Sequence, residues 1–382
     1  MADHSQFDLF TERRFMPFFM TQGLGAFNDN VFKNALAALL VFEGSQMAGL
    51  NTDQVVNLSA LLFILPFFLF SALFGQFADK YEKSMQIRRI KLFEVVIMAL
   101  ATLGFWSDSV PLLLFVLFLL GLQSTIFGPI KYGILPQILK PSELVGGNAL
   151  VEMGTFVAIL AGTIAGPQLA GISVPWPYWV GAAGLAVAVT GWLFSRRIPR
   201  AEPVAPELQI NWNIFSETVR NLKFLNENQV VLNSVLGISW FWFFGATFLV
   251  QIPSYSQTVL GGDANLMSGL LALLIIGIST GSLLCERLSG NQIEIGLVPF
   301  GAIGLTLFGL DLFFASPATP PAEAVSFGAF LAQGGNWRII ADLLLIGAPR
   351  GTTSAVFGDD KVEQFAADIQ QAVGIPVEIV RP

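Results

Sequence analysis

A chain of 382 residues that is 54% hydrophobic and 12% charged, with a mean hydropathy of +0.65, is too apolar for a soluble domain; such domains are usually about 25% charged. One cysteine, Cys285, excludes an internal disulfide framework and a cysteine-cluster metal site, and one histidine, His4 in the polar N-terminus, argues against histidine-based catalysis. The net charge of −7 says less than where the charges fall.

Long apolar runs recur at 15–42, 55–78, 89–107, 111–133, 144–170, 175–195, 229–252, 265–285 and 295–315, with an incomplete one from 338. They predict helices, because the alternating apolar-out, polar-in pattern of barrel strands is absent. The first run is not a signal peptide: it is too long, lacks a small-residue cleavage site and contains Asp29 and Lys33. An ionisable group at that depth costs at least about 2.5–3.5 kcal/mol on insertion scales and marks a functional site by default. Asp29 and Lys33 are four apart with the carboxylate first, the order that favours pairing along a helix. They form either a structural ion pair or a cavity site in which Asp29 holds a bound ammonium group or a coupling cation. Of the flanking Asn28 and Asn30, one is expected to line the cavity and the other to bond a neighbouring helix.

The second run ends Gly75-Gln76-Phe77-Ala78-Asp79-Lys80, and Tyr81-Glu82-Lys83 follow. Asp79, Lys80 and Lys83 are expected to act as a gate, with the loop acid pairing to an adjacent helix. Lys131, past Gly128-Pro129 in the fourth run, either snorkels to the interface or contacts a phosphate as a point charge. Ser142 is a candidate N-cap for the fifth run. Glu152, about two turns in, either pairs with Lys131 or Lys140 or faces the cavity. The same run holds Gly162, Gly166 and Gly171, small residues that let helix backbones approach closely. Residues 196–228 start with Ser195-Arg196-Arg197-Ile198-Pro199-Arg200, are Pro-rich to Pro206, and then predict an amphipathic helix with Trp212, Phe215, Val219 and Leu222 on one face. In the seventh run Trp240, Phe241, Trp242, Phe243 and Phe244 cover every helical face, so most should meet lipid or core, and Gln251 and Tyr255 end it as an interface belt.

Lys and Arg alternate between loops. Arg13 and Arg14 precede the first run; Lys80, Lys83, Arg88, Arg89 and Lys91 are read as lying between the second and third; Lys140, then Arg196 to Lys223, then Arg287 follow on the same side. The intervening loops hold no Lys or Arg, which predicts a cytoplasmic N-terminus. The second half echoes the first: Gly281 leads to Glu286-Arg287 at the end of the eighth run as Gly75 leads to Asp79-Lys80. A repeat about a central loop, these paired elements and the small-residue stripe resemble the major facilitator superfamily.

Three blocks narrow the resemblance: Gly23 to Leu36, Gln123 to Gln137, and Glu143 to Thr155. Over about residues 10–347 the chain is similar to the bacterial lysophospholipid transporter family, and to the transporter domain some bacteria fuse to acyltransferase and acyl-ACP synthetase domains. That resemblance implies a multi-pass protein of the bacterial cytoplasmic membrane. Its implied role is to flip lysophosphatidylethanolamine and lysophosphatidylglycerol from the outer to the inner leaflet, where a cytoplasmic acyltransferase/acyl-ACP synthetase re-acylates them. Asp29, Lys33, Asn28, Asn30, Lys131 and Glu152 are the candidate substrate-binding residues, and a proton or sodium ion is a candidate coupling partner. No cofactor, metal or nucleic acid is expected, and no nucleophile–base pair or phosphate loop of an enzyme is visible. A cation-coupled exporter of amphipathic small molecules would use Asp29 equally well, and a non-transporting partner that docks an acyltransferase is a third reading.

The expected fold is an all-α membrane protein of the major facilitator type, truncated. It comprises a six-helix bundle (1–195), a cytoplasmic linker (196–228) and about three and a half helices of a second bundle (229–347). Ala348 to Ser354 reads as a polar turn, Val362 to Val373 as a soluble helix and Ile375 to Val380 as a strand. The tail 348–382 is therefore expected to be a foreign fragment on a truncated or chimeric chain, or else a small cytoplasmic appendage, and the chain is expected to transport poorly.

Overall fold

The computed structural model describes residues 6–42, 52–172, 178–227, 229–288, 297–319, 321 and 324–357. After a 3-10 turn at Gln6–Thr11 the helices are α1 (Met16–Phe42), α2 (Thr52–Lys80), α3 (Lys83–Trp106), α4 (Val110–Gly133), the single turn α5 (Leu135–Ile138), α6 (Leu144–Ile172), α7 (Tyr178–Ser195), α8 (Ile214–Glu227), α9 (Gln229–Thr258), α10 (Ala264–Leu288), α11 (Leu297–Ala315), the short α12 (Phe327–Ala332) and α13 (Trp337–Phe357). Among the described residues only one isolated bridge, Gly262 to Val325, has strand geometry. Among the described residues five segments are long and apolar enough to cross a membrane on length and composition alone: 57–80, 110–133, 141–170, 235–258 and 265–285.

The chain divides into two compact units, residues 1–141 with 157–222, and residues 142–156 with 223–382. This differs from the division read in the sequence, since the start of α6 groups with the second unit and the linker through Leu222 with the first. In the first unit an apolar core runs from Val31, Phe32, Ala35 and Leu36 of α1 to Ile97, Met98 and Phe105 of α3, Leu117 and Leu120 of α4, and Val180 and Ala188 of α7. Phe32 and Phe105 meet edge to face with centroids 5.7 Å apart.

Glycine decides how closely the helices approach. A Cβ at Gly162 of α6 would lie 2.6 Å from the Phe27 carbonyl oxygen of α1, and one at Gly166 would lie 2.5 Å from that of Val31. The small-residue stripe is thus the seam between α6 and α1. In the second unit Gly277 and Gly281 of α10 lie against the backbone of Leu344 and Ala348 on α13, and a Cβ at Gly347 would stand 2.5 Å from the Leu274 oxygen. This seam corrects a sequence expectation. Residues 348–354 are helical, not a turn, and α13 extends to Phe357 as a helix of 21 residues, not half a span. The expected helix and strand of the tail lie outside the described residues.

Helix starts follow local chemistry. Glu82 caps α3 by accepting the Ser84 and Met85 N–H groups, and Ser109 caps α4 by accepting that of Leu112. Asp263 Oδ1 accepts the Leu266 N–H at 2.8 Å at the start of α10. On α8 the apolar face is open, with Phe215 76% and Leu222 60% exposed, and Trp212, two residues before the helix, is 70% exposed. On α9, Trp240, Trp242 and Phe243 are exposed, whereas Tyr255 hydrogen-bonds Ser316 Oγ at 2.7 Å and so is tied to the end of α11.

Candidate functional site

Within the first unit, α1, α3 and α4 bury a connected polar cluster. Helical periodicity turns Asn28 and Asp29 of α1 toward it, Lys91 and Glu94 present one face of α3, and Gln123 and Ser124 project from α4. Glu94 is fully buried, and both its oxygens are used. Oε2 accepts the Lys91 ammonium at 2.6 Å and Gln123 Nε2 at 3.3 Å, and Oε1 accepts Asn28 Nδ2 at 3.0 Å. Next to it the Ser124 hydroxyl donates to Asp29 Oδ2 at 2.7 Å and lies 3.3 Å from Gln123 Oε1. Lys91 and Glu94 side chains are each 1% exposed. An ion pair so deep persists only where extra hydrogen bonds satisfy it, as Asn28 and Gln123 do here.

Glycine also makes room for the lysine. Gly25 of α1 abuts the Lys91 ammonium, and a Cβ at Gly191 of α7 would stand 3.7 Å from it. Phe127 places its ring centroid 5.8 Å from the same nitrogen. Two buried acceptors, Asn28 Oδ1 and Asp29 Oδ1, have no hydrogen-bond partner among the described residues. The cluster therefore offers fixed acceptors beside a neutralised ion pair. That arrangement suits a group carrying an N–H donor.

The candidates named from the sequence are distributed as follows. Asn28 and Asp29 belong to the cluster. Asp29 and Lys33 do not pair: Asp29 is engaged by Ser124, and the Lys33 ammonium lies 4.9 Å from the centroid of Phe63 on α2. Asn28 reaches a neighbouring helix, but Asn30 bonds back to the Ala26 carbonyl of its own helix at 2.7 Å. Asn34 makes the inter-helix contact with Thr163 of α6, at 3.3 Å. Lys131 sits in the last turn of α4 with its ammonium 5.1 Å from the Tyr132 centroid. Glu152 is buried on the part of α6 that groups with the second unit.

Lys91, Glu94, Gln123 and Ser124 are the residues sequence reasoning missed. Lys91 is a correction: it was read as a loop cation and is an interior residue of α3, which starts at Lys83. Glu94, inside an apolar run and three residues after a lysine, carried the same signal as Asp29.

The segment expected from the sequence to gate, residues 79–83, is fastened to the linker. Asp79 engages it through its carbonyl, which accepts the Ala205 N–H at 2.9 Å, and Lys80 lies 5.9 Å from the Tyr81 centroid. Lys83 is 1% exposed, and its N–H donates to the Ala201 carbonyl at 3.0 Å. Glu82 accepts the Ala201 N–H at 3.0 Å, and Arg88 donates to the Ile198 carbonyl at 3.0 Å. Gln76 and Asn211 exchange two hydrogen bonds: the Asn211 N–H donates to Gln76 Oε1 at 2.8 Å and Gln76 Nε2 to the Asn211 oxygen at 3.4 Å. Partial burial pushes the Glu82 carboxyl up, but the N–H groups of Ala201, Met85 and Ser84 and the Ser84 hydroxyl outweigh it and hold the group below the usual glutamate range.

A bundle of long apolar helices with glycine seams and buried polar groups on its first, third and fourth long helices defines a transporter class. The chain belongs to the Major Facilitator Superfamily, whose family model matches residues 17–358. It is 29% identical over 292 residues to the "Lysophospholipid transporter LplT" of Escherichia coli O7:K1 (strain IAI39 / ExPEC), covering 74% of this chain and 68% of that one. The protein of the same name from Enterobacter sp. (strain 638) is 28% identical over 300 residues, covering 76% and 70%. Among solved structures, the human organic anion transporter MFSD10 (TETRAN) aligns with a TM-score of 0.61 at 14% identity over 95% of this chain and 94% of that one. The proton:xylose symporter XylE aligns with a TM-score of 0.62 at 12% identity over 90% and 81%. At such identity these structures establish the fold alone.

Proposed function

We propose that the chain moves lysophospholipids, such as lysophosphatidylethanolamine and lysophosphatidylglycerol, from the outer to the inner leaflet of a bacterial cytoplasmic membrane, where a cytoplasmic acyltransferase restores the second chain. The observation that carries this reading is the buried cluster, in which carboxylate and amide acceptors, Asp29 and Asn28, adjoin the Lys91 cation with phenylalanine rings nearby. A lysophospholipid presents the complementary chemistry: a phosphate, an ammonium in the ethanolamine case, and one acyl chain. The relatives called lysophospholipid transporters support the same substrate class. In this reading Asp29 and Asn28 take the headgroup donors and Lys33 and Lys131 contribute phosphate contacts, while Glu152 is a candidate acceptor of the second unit by itself. Asp79, Lys80 and Lys83 hold the cytoplasmic gate, and the Lys and Arg pattern puts the N-terminus in the cytoplasm.

The test is uptake of labelled lysophosphatidylethanolamine by proteoliposomes holding the full chain. Asp29→Asn removes the charge with little change of shape, and uptake is expected to fall about tenfold or more, the effect of losing one interaction of about 1.4 kcal/mol. Unchanged uptake in this variant removes Asp29 from the mechanism. Efflux of amphipathic cations without any lipid uptake replaces this reading with that of a cation-coupled exporter.

A further inference from the structure

A second feature of the first unit lies outside the cluster. At the end of α7, Thr190, Leu193, Phe194, Arg196 and Arg197 line a cleft of about 430 Å³, within the roughly 300–1,000 Å³ of small-ligand sites. Its walls are of two kinds. Leu193 is 51% exposed and continues the outward apolar stripe of Val189, four residues earlier. The polar rim is Arg196 and Arg197, both exposed, with no acidic partner among the described residues. Other basic groups nearby are engaged: Arg200 pairs with Glu202 at 2.9 Å, and Arg88 donates to the Ile198 carbonyl. The Thr190 hydroxyl is bonded to the Ala186 carbonyl at 2.8 Å, so the arginines are the cleft's free donors. The Arg196 guanidinium lies 5.3 Å from the Trp192 centroid, and a tryptophan beside arginines at a helix end is characteristic of the membrane–water boundary.

We propose that this cleft is a binding site for an intact anionic phospholipid. The phosphate is held by Arg196 and Arg197, and an acyl chain lies along Leu193 and Val189. Charge complementarity selects the anionic headgroup, since two cations with no neighbouring carboxylate favour phosphatidylglycerol over a zwitterionic lipid. The apolar stripe selects a lipid over free phosphate. The site is separate from the buried cluster, and its occupancy does not depend on what the protein transports.

Native mass spectrometry of the full chain released from detergent micelles reads the site directly. With equal amounts of phosphatidylglycerol and phosphatidylcholine, the first should be retained about thirtyfold more, as two basic groups at the membrane surface dictate. The double variant Arg196→Gln/Arg197→Gln should bring the two lipids to parity, while Arg200→Gln, whose partner is Glu202, keeps the preference. Should the double variant not fold, Arg197→Gln alone should lower the preference about fivefold. Excess glycerol 3-phosphate should not displace the lipid. Equal retention by the wild type, an unaltered preference in the arginine variants, or displacement by glycerol 3-phosphate overturns the proposal. The readout is lipid retention, so it stands or falls apart from transport.

Discussion

Lys91 and Glu94 show how a single misplaced charge hides a site. The run Arg88-Arg89-Ile90-Lys91 looks like one basic loop, yet α3 turns Arg88 toward the linker carbonyl of Ile198 and Lys91 inward to Glu94. Linear charge counting cannot separate residues that a helix sends to different faces. Asp29 was legible as a buried ion because it lies, with Lys33, inside an apolar run. Its engagement by Ser124 was not, because that depends on which helix packs beside α1. Removing one member of the ion pair leaves the other charged and buried. Lys91→Met should therefore lower stability by about 3–5 kcal/mol in thermal unfolding, and Lys91→Met/Glu94→Leu should recover most of it. A double variant as unstable as the single would show that the orphaned charge is not what destabilises the fold. Substrate uptake should remain low in both.

Among elements, the α6–α1 and α10–α13 seams show which sequence signals survive folding. The glycine stripe of α6 predicted close packing because a missing Cβ has the same consequence whichever helix arrives. Pro349, Gly351, Thr352 and Thr353 pointed to a turn, but the packing of α13 on α10 overrides that local preference. Gly166→Leu should force α6 off Val31 and Ala35 and lower the unfolding temperature by several degrees, whereas a leucine at Gly23, which meets nothing within 4 Å, should be tolerated. At the start of α3 the Glu82 cap has a pH signature. Its carboxyl is held below the usual glutamate range, so the stability it contributes is present above the unfolded value and lost as the pH falls through the folded one. In Glu82→Gln that acid-side loss should vanish from a stability profile. A wild-type profile with the same acid limb as the variant would contradict the assignment.

For the whole molecule, the superfamily fold was readable from run lengths, the positive-charge alternation and the repeated glycine–acid–base elements, all of which follow from the bilayer acting as solvent. The assignment of segments to units was not readable, because it depends on which surfaces pack. Ending the chain at Gly347 removes the helical turns of α13 beyond the Gly277–Leu344 contact, including Ala348 against Gly281. The shortened protein should lose monodispersity in size-exclusion chromatography, and unaltered behaviour would mean that those turns add nothing to the second unit. The membership of α6 reaches further. Residues 142–156 come from the first half of the sequence but pack as part of the second unit, and 157–172 return to the first. A gene cut at the central linker would not yield two self-sufficient fragments. The leading one would expose a helical segment built for the other's interior, so the two should be recoverable only when co-expressed and mutually complementing.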